Sequence, residues 1–261
     1  MPASLDQIAA ATRGKVSEAR HAADLRKLER QAEQRVPRGF RQALEGRSPA
    51  VIAELKKASP SRGLIRADFD PANLAAELES AGAAALSVLT DAEFFQGSLE
   101  NLRQASVATR LPCLRKDFIV DEFQLLEARA NRADAVLLIV AALSPSELET
   151  LAKKAESYDL DVLCEVHDEK ELERALTSGC ELIGVNSRDL QTFTVDLQTA
   201  FRLAELMPKN VLSVAESGIQ SGKDIARLRA AGYHAFLIGE SLMKAEFPGD
   251  ALRTLLAQAG S

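Results

Sequence analysis

The chain is 261 residues long, 46% apolar and 27% charged, with a formal net charge of −6, a balance unlike that of disordered or collagen-like sequences and sufficient for a sizeable core. No apolar run approaches the ~20 residues of a membrane span, and the opening MPASLDQIAAATRGK lacks the apolar stretch of a secretory signal, so a cytoplasmic location with no membrane partner is expected. The charge is uneven, +4 over residues 1–48 and −10 over the rest, which favours docking of a basic arm on an acidic body, and no dense basic stripe points to nucleic acid.

Residues 1–48 read as a helical extension. Ser4-x-x-Gln7 fits a capping box, Leu25, Leu28 and Ala32 recur at helical spacing, and Pro37 with Gly39 ends the pattern. From residue 49 to 261 a different rhythm takes over. Short runs rich in Val, Ile and Leu fall at Val51–Leu55, Ala85–Leu89, Pro112–Lys116, Ala135–Val140, Asp161–Val166, Leu182–Asn186, Val211–Glu216 and Ala235–Gly239. The mean repeat of about 26 residues is close to what roughly 200–250 residues divided among eight strand–helix units would give.

The segments between the runs have helical period. Pro71–Ala81 carries Leu74 and Leu78, Glu122–Ala130 carries Leu125 and Leu126, and Ser144–Ala155 opens Ser-Pro-Ser-Glu before Leu148 and Leu151. Apolar strands separated by helices predict a parallel sheet covered on both faces, and eight units predict an α/β fold: a single eight-stranded (β/α) TIM barrel with an N-terminal helical extension.

Polar groups gather at the carboxyl ends of the predicted strands: Glu54 and Lys56, Lys116, Glu165, Asn186 and Glu216. Side chains alternate along a strand, so Glu54 and Lys56 share a face with Ile52, Lys116 with Leu114, Glu165 with Leu163, Asn186 with Gly184, and Glu216 with Val214. If the apolar partners fill the barrel, the charges line its mouth. An unpaired buried charge costs several kcal/mol even after relaxation, so such a cluster calls for mutual pairing or a ligand. The loops after strands seven and eight read Glu216-Ser217-Gly218-Ile219 and Gly239-Glu240-Ser241-Leu242, where barrels frequently cradle a phosphate with free amides and a helix dipole.

The remaining candidates for chemistry are few. Cys113, Cys164 and Cys180 are odd in number and have no C-x-x-C spacing, so buried thiols are expected rather than a disulfide framework or a zinc site. His21, His167 and His234 read as surface or packing residues without carboxylate or metal-ligand spacing.

The segment Ile52-Ala53-Glu54-Leu55-Lys56-Lys57-Ala58-Ser59-Pro60-Ser61 resembles the signature of the indole-3-glycerol-phosphate synthase family. The likeness continues through Phe69-Asp70-Pro71, Leu86–Asp91 with Phe94–Ser98, Leu114-Arg115-Lys116-Asp117-Phe118, Ile183–Leu190 and Ala215-Glu216-Ser217-Gly218-Ile219. It spans residues 51–243, and the basic helical arm resembles the family's extension. The resemblance implies a carboxy-lyase of tryptophan biosynthesis: 1-(2-carboxyphenylamino)-1-deoxyribulose 5-phosphate closes a pyrrole ring and loses carbon dioxide and water, with no metal and no organic cofactor.

By the same resemblance, Lys116 is the candidate acid, Glu165 stabilises positive charge on the aniline system, and Glu54 with Lys56 serves the carboxylate region and the dehydration. Asn186 and Arg188 would hold polar groups of the ribulose chain and carboxylate, and Glu216 with Ser217 would contact sugar hydroxyls and the phosphate edge. Ser59, Gly218, Gly239, the Glu240 backbone and Ser241 would complete the phosphate site, and Phe95, Phe118, Leu137 and Leu190 would form the slot for the aromatic ring.

The chain has no Trp, so any aromatic lid contribution from the arm has to come from another residue. It ends shortly after the eighth unit, so no fused second enzyme is expected. The expected partner is a small phosphosugar–anthranilate molecule, with the protein a monomer or weak homodimer. Two other readings stand beside this one. A phosphoribosylanthranilate isomerase would lack the Glu54–Ser61 signature and the arm, and a barrel serving only as a binding subunit would show ligand affinity without turnover.

Overall fold

A computed structural model of the chain describes residues 5–189 and 192–260. Ser4 of the expected capping box and Leu190 of the expected ring slot lie outside them. Eight parallel strands close into a barrel in which each pairs with its sequence neighbours and the last returns to the first. They are β1 (Ala50–Leu55), β2 (Ala85–Leu89), β3 (Cys113–Lys116), β4 (Ala135–Ile139), β5 (Asp161–Val166), β6 (Leu182–Asn186), β7 (Leu212–Glu216) and β8 (Ala235–Ile238). Each lies within a residue or two of the run that predicted it. Closure is recorded by the β1–β8 register, Ala50 opposite Ala235 and Ile52 opposite Leu237.

The period of two sorts the side chains into two cores. Ile52, Leu114, Leu137, Leu163, Leu182 and Val214 fill the barrel interior. Val51, Leu86, Val136, Cys164, Ile183 and Phe236 face outward, against helix residues such as Leu74, Leu125, Leu148 and Leu228. Helices start where short polar side chains can accept the free amides of the first turn. Asp70 accepts from the Ala72 and Asn73 amides before Pro71–Ser80, Asp121 and Gln124 form a reciprocal box before Glu122–Ala130, and Ser144 with Glu147 does so before Pro145–Glu156. Gly82, with φ of +101°, follows the first of these helices and turns the chain back into β2 in a conformation that a Cβ would strain.

The extension runs from one end of the barrel to the other. Helices α1 (Leu5–Ala22), α2 (Leu25–Glu33) and α3 (Phe40–Glu45) precede β1. On α1, Arg13 pairs with Glu147 at 3.0 Å and Arg20 with Asp121 at 3.2 Å, beyond the carboxyl ends of the strands. On α3, the fully buried Phe40 and Leu44 join the interior core with Ala50, Ala135 and Leu212 and seal the opposite end.

At the base, beside the amino ends of β3 and β4, Asp134 is a polar anchor for the arm. Its carboxylate has no exposed surface and receives Arg35 Nη1 at 2.7 Å, the Arg38 amide at 2.7 Å and the Cys113 amide at 2.8 Å. Arg38 in turn donates to the Leu111 and Ser106 carbonyls at 2.7 and 2.8 Å. Breaking a buried pair strands the remaining charge, so Asp134→Ala is expected to destabilise the fold by about 3–5 kcal/mol. The urea midpoint at constant m-value measures this, and a loss of under about 1 kcal/mol would show that the anchor does not hold the arm.

The cysteine expectation is corrected in part. Cys164 and Cys180 form a disulfide, and Cys113 alone is a free, buried thiol, which burial pushes up to about 12. The fifteen intervening residues contain Glu169–Thr177, and this helix returns the chain to β6, the neighbour of β5. The two Cα atoms thereby come to 6.5 Å, within bridging range. Residue counting alone does not reveal that proximity.

Candidate active site

The ends of β1, β3, β5, β6 and β7 bring Glu54, Lys116, Glu165, Asn186 and Glu216 to the rim of a cavity of about 530 Å³, with Lys56 just beyond β1. The parity argument holds in detail: the buried side chains below these groups are the interior core residues Ile52, Leu114, Leu163 and Val214. Gly184, below Asn186, leaves room for a neighbour, because a Cβ there would meet Glu216 Oε1. Gly239 does the same for Glu54, whose Cβ would lie 2.9 Å from an added one.

The charges pair in two groups. Lys56 Nζ lies 2.5 Å from Glu54 Oε1. Lys116 Nζ lies 3.0 Å from Glu165 Oε2 and 3.6 Å from Glu216 Oε2. Burial alone would lower the Lys116 pKa, but Glu165, Glu216 and Glu54 outweigh it and hold the ammonium well above its ordinary value. Burial also acts on both glutamates, with opposite results. Glu165 is held well below the usual carboxylate range by Lys116 and His167, whereas burial beside the negative Glu165 and Glu54 pushes Glu216 up to about 8, against the pull of Lys116. Two carboxyl groups with separated protonation are the arrangement acid–base chemistry needs.

The rim holds further polar groups. Asn186 Oδ1 accepts from the Arg188 amide at 3.0 Å. Ser217 and Gly218 take φ of +62° and +79° and turn the chain sharply after β7, and both line the cavity with Ser59, Gly239 and Ser241. Ser59 Oγ is buried without a partner among the described residues. Glu240 also lines the cavity. Arg62 lies 3.0 Å, Lys244 2.6 Å and Arg188 3.5 Å from its carboxylate, so it links the loop after β1 to the loop after β6.

The apolar wall contains Phe95 and Phe118, whose ring centroids are 6.5 Å apart. Leu137 does not line the cavity. It sits opposite Leu163 in register, inside the barrel core, and Ile139, opposite Glu165, takes the place at the wall. The strand simply continues two residues beyond the expected position, with the same parity. Leu5 and Ile8 of α1 and Phe193 after β6 also line the wall. The arm therefore adds aliphatic rather than aromatic surface to the mouth. A sequence reading could not place Leu5 and Ile8 there, because which face of a helical arm covers the barrel is a tertiary outcome.

His167 is a further correction. It is not a passive packing residue, because its ring is flanked by Glu165 and Glu171 at 3.2 and 2.9 Å. The signal was Glu165-x-His167-x-x-x-Glu171, a carboxylate on either side across a strand–helix boundary.

A closed parallel barrel with its acid–base groups and a concave apolar slot at the carboxyl ends of the strands is a TIM-barrel enzyme acting on a small molecule. Solved structures with this fold include 3-hexulose-6-phosphate synthase, with a TM-score of 0.64 at 15% identity over 80% of this chain and 99% of that one. Thiamine phosphate pyrophosphorylase from Pyrococcus furiosus matches with a TM-score of 0.61 at 17% identity over 81% and 96%. The indole-3-glycerol phosphate synthase family model matches residues 5–255. Synthases so named from Koribacter versatilis and Polaromonas naphthalenivorans are 58% and 48% identical over 98% and 97% of this chain, and 100% and 98% of their own lengths. The chain belongs to the indole-3-glycerol phosphate synthase family, carboxy-lyases of tryptophan biosynthesis.

Proposed function

We propose that Lys116 is the general acid of ring closure, acting on 1-(2-carboxyphenylamino)-1-deoxyribulose 5-phosphate held across the barrel mouth. The observation that carries this reading is the placement of Lys116 Nζ between Glu165 and Glu216 at 3.0 and 3.6 Å. Attack of the aryl carbon on the ketone develops negative charge on the carbonyl oxygen, and a buried ammonium supplies both a proton and charge stabilisation there. The ionised Glu165 stabilises the positive charge that appears on the aniline system. Loss of carbon dioxide restores the aromatic electrons, and loss of water, assisted by Glu54 and Lys56, completes the indole.

The binding roles follow from position. Asn186 and Arg188 take the polar chain and the substrate carboxylate, and Glu216 with Ser217 takes the sugar hydroxyls and the phosphate edge. Ser59, Gly218, Gly239, Glu240 and Ser241 surround the phosphate, for which the unpartnered Ser59 hydroxyl is a donor. Phe95 and Phe118 with Ile139 form the slot that holds the reacting ring against the ketone. Residues 1–48 are the extension, whose first helix reaches the mouth and whose third closes the base, and 49–261 the catalytic barrel, a monomer or weak homodimer of the cytoplasm. Among the described residues no helix is long and apolar enough to cross a membrane.

The test is a continuous indole-fluorescence assay of the purified chain with this substrate. Product formation with release of one carbon dioxide is the expected result. A folded protein that binds the substrate without forming product would favour a binding role instead.

A further inference from the structure

The reading of Glu165 leaves one partly buried, titratable neighbour unexplained. His167 follows the end of β5, and its side chain returns to the face that carries Glu165. Its Nε2 lies 3.2 Å from Glu165 Oε1, while Glu165 Oε2 faces Lys116 Nζ at 3.0 Å. Each oxygen of this one carboxylate is thus covered by a different nitrogen. The far side of the imidazole is equally defined: Nδ1 lies 2.9 Å from Glu171 Oε2, which also accepts the His167 amide at 2.8 Å. Glu171 is fixed in the first turn of Glu169–Thr177, where Asp168 caps its amide at 2.8 Å.

We propose that His167 is a positioning residue for the ring-closing reaction, an imidazolium held by Glu171 that stands against Glu165 Oε1 and, together with Lys116, keeps the negative charge on Glu165 rather than on Glu216. The asymmetry of the site supports this. Glu165 and Glu216 are both buried and both lie within 4 Å of Lys116 Nζ, which donates its hydrogen bond to Glu165, and His167 adds a second positive neighbour on the same side. His167 pairs with Glu165 and not with Glu216. The charged groups around it are Glu165 on its own strand and Glu171 on the following helix, with Lys116 of β3 and Glu216 of β7 behind Glu165. Burial opposes its charge, but the two glutamates outweigh burial and raise the ring to about 10, so it is charged at neutral pH.

The inference rests on the role proposed above for Glu165, and its test separates the two. His167→Asn, Glu171→Gln and Glu165→Gln are compared with the parent by measuring kcat and KM across pH. With the cation at 167 gone, burial raises the Glu165 pKa, and the acid limb of kcat moves upward. The expected result for His167→Asn is a kcat about tenfold lower at neutral pH, KM within about twofold of the parent, and an acid limb higher by about one pH unit. Glu171→Gln is expected to move the limb in the same direction by less, and it keeps the question answerable if His167→Asn does not fold. An unmoved acid limb in the folded variants, with Glu165→Gln inactive, would overturn the inference while leaving the role of Glu165 intact. Activity in Glu165→Gln would overturn both.

Discussion

Lys116→Ala is expected to lower kcat by about 10³-fold while the barrel stays folded. Among the described residues no other cation lies within 4 Å of both Glu165 and Glu216, so no neighbouring group takes over the lysine's proton. Removal of the lysine leaves Glu165 with His167 as its remaining charge partner, beside a Glu216 that already carries its proton. A buried carboxyl group can take up a proton rather than remain charged in an apolar site, and this limits the damage to stability. The outcome is a folded protein without its acid, read as lost indole fluorescence with an unchanged circular dichroism spectrum. A kcat within about tenfold of the parent would remove Lys116 from the acid role.

Gly184→Ala is the second large effect, and it comes from a residue with no chemistry of its own. An added Cβ would collide with Glu216 Oε1 and lie 3.3 Å from Leu163 Cδ1. Both neighbours are buried, so neither can swing into solvent. Glu216 has to leave its place beside Lys116, and a displacement of about 1 Å in a reacting site can cost about 10²-fold in rate. Overpacking adds a stability loss of about 1–3 kcal/mol. Steady-state kinetics and denaturant unfolding of this one variant measure both quantities. Near-parental kcat would show that the position of Glu216 is not critical.

Much of this architecture is legible in the chain because parallel strands impose a strict period of two on a repeat of fixed length. Ile52 with Glu54, Leu163 with Glu165 and Val214 with Glu216 each give the same inward parity, so the groups at the mouth follow once the strands are placed. What that period cannot supply is depth along the strand, and Leu137 and Ile139 have the same parity, so choosing between them needs the register with Glu165. Contacts between elements are less accessible still. Leu5 and Ile8 reach the cavity only because the arm spans the barrel from mouth to base, and Cys164 meets Cys180 only because the helix between them folds back. His167 differs from these. Its carboxylates lie at positions −2 and +4, visible in the sequence, but they flank a strand–helix boundary where helical spacing does not apply along the whole segment.

The central claim is that two buried glutamates facing one lysine differ in protonation, Glu165 ionised and Glu216 carrying the proton. Carbon-13 NMR titration of the side-chain carboxyls in glutamate-labelled protein, with Glu216→Gln and Glu165→Gln to assign the two resonances, measures this directly. A carboxyl group whose pKa is raised gives up its proton late, so the Glu216 signal should move near pH 8, while Glu165 takes up its proton only well below the usual carboxylate range. A Glu216 that titrates in the ordinary carboxylate range near 4.5, or a Glu165 that takes up its proton first, would contradict the account.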